Sequence, residues 1–323
     1  MSGWIDLHLH LDGSLSEAAV RRLAAMQRLS LPENLHQLLT VDENCRDLNQ
    51  YLTKFDFPLS LLQTEEALTF AARNLLAELH AEGLLYAEIR FAPQLHCRSG
   101  LTQEKAVAAV VRGFAGSPLP AGLILCCMRG NGNEKENLET VELAAHCLGR
   151  GVVGLDLAGA EALYPTENFA GVFARARALN LPFTIHAGEA AGPESVWKAL
   201  EFGARRIGHG VRAAEDPDLM RELADRGVPL ELCPTSNLQT GIFRRLEDFP
   251  LRKLMDAGIR VTVNTDNRTV SGTTIGREWA LLRQTFALSA AEIRLILGQT
   301  AEAVFAGDRV KQSLKQAIAA GDD

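Results

Sequence analysis

The sequence lacks several features that would each have assigned it a class. Its six cysteines (Cys45, Cys97, Cys126, Cys127, Cys147, Cys233) form no C-x-x-C pair, and adjacent Cys126 and Cys127 sit in an apolar run where thiols act as small hydrophobes. A reduced, cytoplasmic protein is expected. No apolar stretch approaches the roughly 18 residues needed to span a bilayer. Only Met1-Ser2-Gly3-Trp4 precede the first patterned segment, so neither secretion nor membrane insertion is expected. Basic residues are outnumbered, 33 Lys and Arg against 40 Asp and Glu for a net charge of −7, and they are dispersed rather than gathered in a stripe. A negative surface repels phosphate backbones, which argues against nucleic acid as a partner. No G-x-G-x-x-G or Walker sequence follows the first strand candidate, and no low-complexity linker or repeat divides the chain.

What is present is enough apolar material for a large core: 323 residues, 47% apolar and 23% charged. A short β-rich run is followed by a longer helical pattern about eight times. The strand candidates are Ile5–Leu9, Leu84–Arg90, Leu123–Met128, Val152–Leu157, Phe183–His186, Arg206–His209, Pro229–Cys233 and Arg260–Asn264. Several are continuous apolar runs, as expected of parallel strands buried on both faces. Helical patterns fill the intervals, among them Thr64–Ala81, Thr102–Phe114, Glu134–Leu148, Pro193–Phe202 and Pro217–Arg226. The last barrel helix is expected to start near Arg277, and Ser289-Ala-Ala-Glu292 has the form of a capping box opening another. Strict alternation predicts an α/β fold, a closed (β/α)₈ TIM-type barrel, rather than an open sheet. The whole chain, 1–323, reads as one domain, with extra C-terminal helices and with an all-helical insertion at 13–83 after the first strand that is placed to cover the barrel mouth.

Barrel enzymes carry their chemistry where strands end. Here those ends read His8-Leu9-His10, His186-Ala-Gly-Glu189, His209, and Asn264-Thr-Asp266-Asn267. His8 and His10 are two apart on a strand, so alternation turns both imidazoles to one side. With His186 and Asp266 they make three nitrogens and one carboxylate, a set suited to one Zn²⁺ with a position kept for water. An isolated H-x-H is usually incidental; four ligands at independent strand ends are much less so. Such a cation lowers the pKa of water towards about 7. His209 and Asp266 are then candidates to orient or deprotonate that water, and Glu189 is close enough to donate a proton. Blander readings stand beside these: Glu189 also suits a helix cap, and a lone histidine is more often a satisfied polar residue.

Five motifs in this order resemble the adenosine deaminase family: His8-Leu-His10-Leu-Asp12-Gly-Ser, His186-Ala-Gly-Glu189, Arg206-Ile-Gly-His209-Gly, Cys233-Pro-Thr-Ser-Asn237 and Asn264-Thr-Asp266. The resemblance implies that His8, His10, His186 and Asp266 bind zinc, that Glu189 protonates purine N1 while activated water attacks C6, and that His209 assists the water. The implied reaction turns adenosine, and 2′-deoxyadenosine with it, into inosine or deoxyinosine plus ammonia. It further implies that the Gly159 N–H faces purine N3, that His10 belongs to the substrate pocket as well as the metal site, and that Asp12 contacts the ribose hydroxyl end. Each has a structural alternative, since Gly159 and Asp12-Gly13 both read as turns. Leu48, Tyr51, Leu52 and Phe55 fall at i, i+3, i+4 and i+7 on one helical face, and the segment around them resembles the family's lid helix. One residue departs from the pattern: Asn267 stands where many members have a second aspartate that contacts N7, although an amide N–H can donate there too.

Other readings remain open at this point. Adenine or a modified adenine nucleoside such as an aminofutalosine type would need almost the same machinery. A binuclear amidohydrolase shares the H-x-H opening, but strand four ends in Leu157-Ala158-Gly159 without a bridging carboxylate or lysine. The cytidine-deaminase type of zinc enzyme needs H-x-E and P-C-x-x-C; His80-Ala-Glu82 has the first form and nothing has the second. A barrel that binds nucleosides without turnover is the remaining alternative.

Overall fold

The structure, a computed structural model, describes residues 3–320. Eight parallel strands follow the expected order: β1 (Trp4–His10), β2 (Leu84–Phe91), β3 (Ala121–Met128), β4 (Val152–Ala158), β5 (Thr184–Ala187), β6 (Arg206–His209), β7 (Leu230–Leu232) and β8 (Val261–Val263). Regular pairing joins β1 to β4 and β5 to β8 as two four-stranded arcs. Two parallel bridges, Leu155↔Phe183 and Leu9↔Asp266, close the arcs into a barrel. At the second seam His10 N–H donates to Asp266 O at 2.7 Å and Asp266 N–H to His8 O at 2.8 Å.

Alternation sorts each strand's side chains onto two different faces. Leu9, Ala87, Ile89, Leu155, Leu157, Ile185, Ile207, Leu230, Leu232, Val261 and Val263 belong to the apolar core shared with the surrounding helices. The other face holds Asp6, His8, Glu88, Arg90, Asp156, His186, Arg206 and Glu231, all buried. The strands are therefore buried on both faces, as expected, but their inner face is ionic rather than aliphatic. Arg90 spans that interior, donating to Asp156 at 2.8 Å, Glu231 at 2.9 Å and the Leu7 carbonyl at 2.7 Å. Arg206 lies deeper, 2.6 Å from Glu231 and 2.6 Å from Glu88, with its guanidinium over the Phe305 ring.

The insertion after β1 folds as α1 (Glu17–Met26), α2 (Leu35–Leu39), α3 (Leu48–Leu52), α4 (Asp56–Leu61) and α5 (Glu65–Ala81). Of these, α5 packs on β2 and on α6 (Gln103–Phe114), as an outer-layer helix should. Thr64 and Thr102 cap α5 and α6 by accepting from Ala67 and Lys105 N–H groups, which explains why each helix starts one residue after the threonine. The ring continues through α7 (Glu134–Cys147), α8 (Ala170–Ala178), α9 (Pro193–Phe202), α10 (Pro217–Arg226), a short α11 (Pro234–Gln239) and α12 (Leu251–Asp256). The helix expected near Arg277 is α13 (Ile275–Phe286), but the larger share of packing against β8 and β1 falls to α14 (Ala290–Ala303), opened by the Ser289–Glu292 capping box. Finally α15 (Asp308–Ala320) lays Leu314 against Ile5, Leu7 and Tyr86 and seals the N-terminal end of the barrel. No helix among the described residues is long and apolar enough to cross a membrane.

Candidate active site

His8 and His10 project from the end of β1 into the open end of the barrel, where they meet His186 from β5. His8 Nε2 lies 3.0 Å and His10 Nε2 3.2 Å from His186 Nε2. Asp266 Oδ1 is 3.5 Å from both His8 Nε2 and His10 Nε2. The four donor atoms all fall within 4.8 Å of one another. The remaining ring nitrogens decide what that cluster is for. His8 Nδ1 contacts Glu231 at 2.7 Å and His186 Nδ1 contacts Asp156 at 2.9 Å, which places a proton on each Nδ1. The Nε2 atoms are left facing one another, a convergence of donors that a bound cation would satisfy. Three imidazoles and one carboxylate fit a borderline-soft divalent ion.

His209 and Asp266 are held in left-handed backbone, each at φ 58°, a conformation most side chains avoid. The turn redirects both side chains into the mouth as their strands end. Asn237, on α11, donates from its amide to His209 Nδ1 at 3.1 Å and fixes the ring. Glu189 lies on the loop after β5, its Oε2 3.6 Å from His209 Nε2. Burial above all, then the Asp266 and Glu161 carboxylates, push Glu189 well above the ordinary range, with only Arg129 opposing. Burial likewise holds His209 well below the usual histidine value. The two environments thus favour the proton on the acid and disfavour it on the imidazole.

These groups open onto one cavity of about 340 Å³. That volume lies in the usual range for a small-molecule site. Its wall includes His10, Asp12, Gly159, Asn267 and the four residues of the Leu48 stripe, so every residue given a metal, catalytic or substrate role by sequence, except His8, lines it. His8 lies beneath, fully buried. Gly159 needs its glycine, with φ 110° and Met128 and Arg129 crowding the place of a side chain. The stripe itself departs from expectation: α3 stops at Leu52, a tight 3₁₀ turn takes Thr53–Phe55, and α4 follows. The face survives because a 3₁₀ turn still brings i+3 neighbours together.

The sequence profile of the adenosine deaminase family matches residues 4–321. The chain belongs to that family. An adenosine deaminase from Haemophilus ducreyi is 50% identical over 97% of this chain and 94% of its own length. One from Enterococcus faecalis is 39% identical over 97% and 95%. Among solved structures, the adenine deaminase of Arthrobacter aurescens superposes with a TM-score of 0.90 at 27% identity, covering 99% of both chains. The N6-mAMP deaminase of Arabidopsis reaches 0.88 at 25%, covering 99% of this chain and 98% of its own. A family of hydrolytic deaminases on this barrel is thus the setting for the geometry above.

Sequence reasoning missed groups that hold the adenosine deaminase motifs in place, Asp156 and Glu231 behind the histidines, Arg90 between them, and Glu161, and it quoted Asn237 in a motif without giving it a role behind His209. A signal existed for three of these. Arg90, Asp156 and Glu231 are charges inside otherwise apolar strands, where an unpaired charge is too costly to keep. Nothing in Ala160-Glu161-Ala162 marks Glu161 as buried.

Proposed function

We propose that this chain is an adenosine deaminase that converts adenosine or 2′-deoxyadenosine plus water to inosine or deoxyinosine plus ammonia. One observation carries the reading: the His8, His10, His186 and Asp266 cluster faces Glu189 and His209 across a single cavity. His8, His10, His186 and Asp266 would hold one Zn²⁺, which when bound would supply Lewis acidity and bring the pKa of water towards about 7. Glu189, protonated because it is buried among carboxylates, donates to purine N1 and draws electron density from C6. His209, its ring fixed by Asn237, orients the attacking water, and Asp266 accepts a hydrogen bond from it. The oxygen adds at C6; of the water's two protons one leaves with the amino group as ammonia and the other restores Glu189, whose own proton stays on N1. His10 and the Gly159 N–H border the base, the latter at N3; Asn267 donates to N7 and Asp12 takes the ribose hydroxyl end. Within the 13–83 insertion of this single-domain barrel, Leu48, Tyr51, Leu52 and Phe55 form the lid that keeps bulk water out.

Adenine is the competing substrate, favoured by Asn267 and by the likeness to the Arthrobacter enzyme. The 50% and 39% identities to adenosine deaminases support the nucleoside instead. Six free cysteines suit a reducing cytoplasm. Absorbance decay with adenosine and adenine in parallel, before and after chelation, tests the whole reading. Adenosine is expected to react faster, activity to vanish with chelator, and zinc to restore it. Full activity in metal-free protein, or turnover of adenine alone, overturns it.

A further inference from the structure

We propose that Glu161 is a positioning residue for Glu189: its carboxylate gathers the backbone of residues 188–191 and so aims the acid across the cavity. This role rests on the reading of Glu189 as the proton donor. Glu161 sits in the loop after β4, two residues beyond Gly159, and its side chain is 1% exposed. Oε1 accepts from Gly188 N–H at 2.8 Å, and Oε2 accepts from the N–H groups of Glu189 at 3.0 Å, Ala190 at 2.7 Å and Ala191 at 2.9 Å. The Ser195 hydroxyl adds a fifth hydrogen bond, to Oε1, at 2.5 Å. Four successive amides turned to one point form a nest that binds an anion, and here the anion belongs to the protein itself.

The clasp leaves the Glu189 backbone little freedom. Gly188 is at φ 69°, and a side chain there would strike Val196 at 2.5 Å, so only glycine lets the loop run this close to α9. Arg212 donates to the Glu189 carbonyl at 3.2 Å from the other side. Ser195 also bonds Thr166 at 2.7 Å; Thr166 accepts from Arg129 at 2.9 Å, and Arg129 donates to the His186 carbonyl at 2.6 Å. The segment from His186 to Ala191 is therefore tethered at both ends through groups centred on Glu161. A displacement of about 1 Å in a reacting group costs on the order of 10²-fold in rate.

The test is a double-mutant cycle. Glu161→Gln keeps the shape but turns an N–H group towards N–H donors. It is expected to lower kcat about 10²-fold with KM within a few-fold and bound metal unchanged. Introduced into Glu189→Gln, the same substitution is expected to cost less than about threefold, because there is no acid left to aim. Ser195→Ala, which removes one donor of the five, is carried through the same cycle and keeps the test decisive should Glu161→Gln not fold. Equal losses in both backgrounds, for whichever variant folds, overturn the positioning role while leaving Glu189 as the acid. A full rate in Glu189→Gln alone overturns the reading of Glu189, and this role with it.

Discussion

Glu189 owes its chemistry to where it is kept rather than to what it is. A glutamic acid in water is ionised at neutral pH; this one is buried, with Asp266 and Glu161 nearby, and is held protonated well above that range. Glu189→Gln keeps the shape and the metal ligands but has no acidic proton to give. It is expected to lower kcat by at least about 10²-fold, with zinc content by metal analysis unchanged. Retained turnover would show that N1 is protonated by another group. At this scale the sequence was informative about groups that end strands and nearly silent about groups that act through others. His8, His10, His186, His209 and Asp266 are legible because a strand end in a barrel is a known place. Glu161 is not, because its partners are backbone amides some thirty positions away, and no side-chain pattern records them.

The proposed lid shows the same limit at the scale of an element. Helical spacing correctly grouped Leu48, Tyr51, Leu52 and Phe55 on one face, yet it could not reveal the 3₁₀ interruption at Thr53–Phe55, where the chain bends over the cavity. Tyr51 anchors this piece: it is buried against Val41, Leu48 and Val270, and its hydroxyl lies 2.7 Å from the Ser271 hydroxyl on the loop after β8. Removing that hydroxyl leaves the packing and deletes one hydrogen bond, worth about 1 kcal/mol. Tyr51→Phe is therefore expected to raise KM several-fold with a smaller change in kcat, read from initial rates. An unchanged KM would remove the Tyr51 hydroxyl from lid closure. Helix starts, by contrast, were readable to within a residue or two because Thr64, Thr102 and Ser289 announce them chemically.

For the molecule as a whole, alternation sufficed to predict a closed parallel barrel, whereas the ionic interior was not foreseen. Breaking such a buried network by removing one partner typically costs about 3–5 kcal/mol. A further buried acid makes stability depend on pH. Glu278, on α13, is raised from 4.5 to about 7, chiefly by burial, against hydrogen bonds from Thr235 N–H and Thr273. Between those values the folded protein holds a proton that the unfolded chain has released. Stability is thus greatest below pH about 4.5 as far as this group is concerned, falls as pH rises towards 7, and is level above it, by roughly 3 kcal/mol in all. Glu278→Gln is expected to lessen the fall of denaturation midpoints across that window, the part due to Asp6 and Asp12, each raised to about 6, remaining, and to make the protein more stable than the parent at pH 8. A parent-like slope would exclude Glu278 as its source.

The seam between β1 and β8 also sets the order of events in synthesis. His8 and His10 are made with the first strand of the barrel, but Asp266 follows the last. No nascent fragment that ends before β8 holds all four donors of the proposed site, so loading of an ion there would await the last strand of the barrel, and a product cut short of it would lack the carboxylate donor.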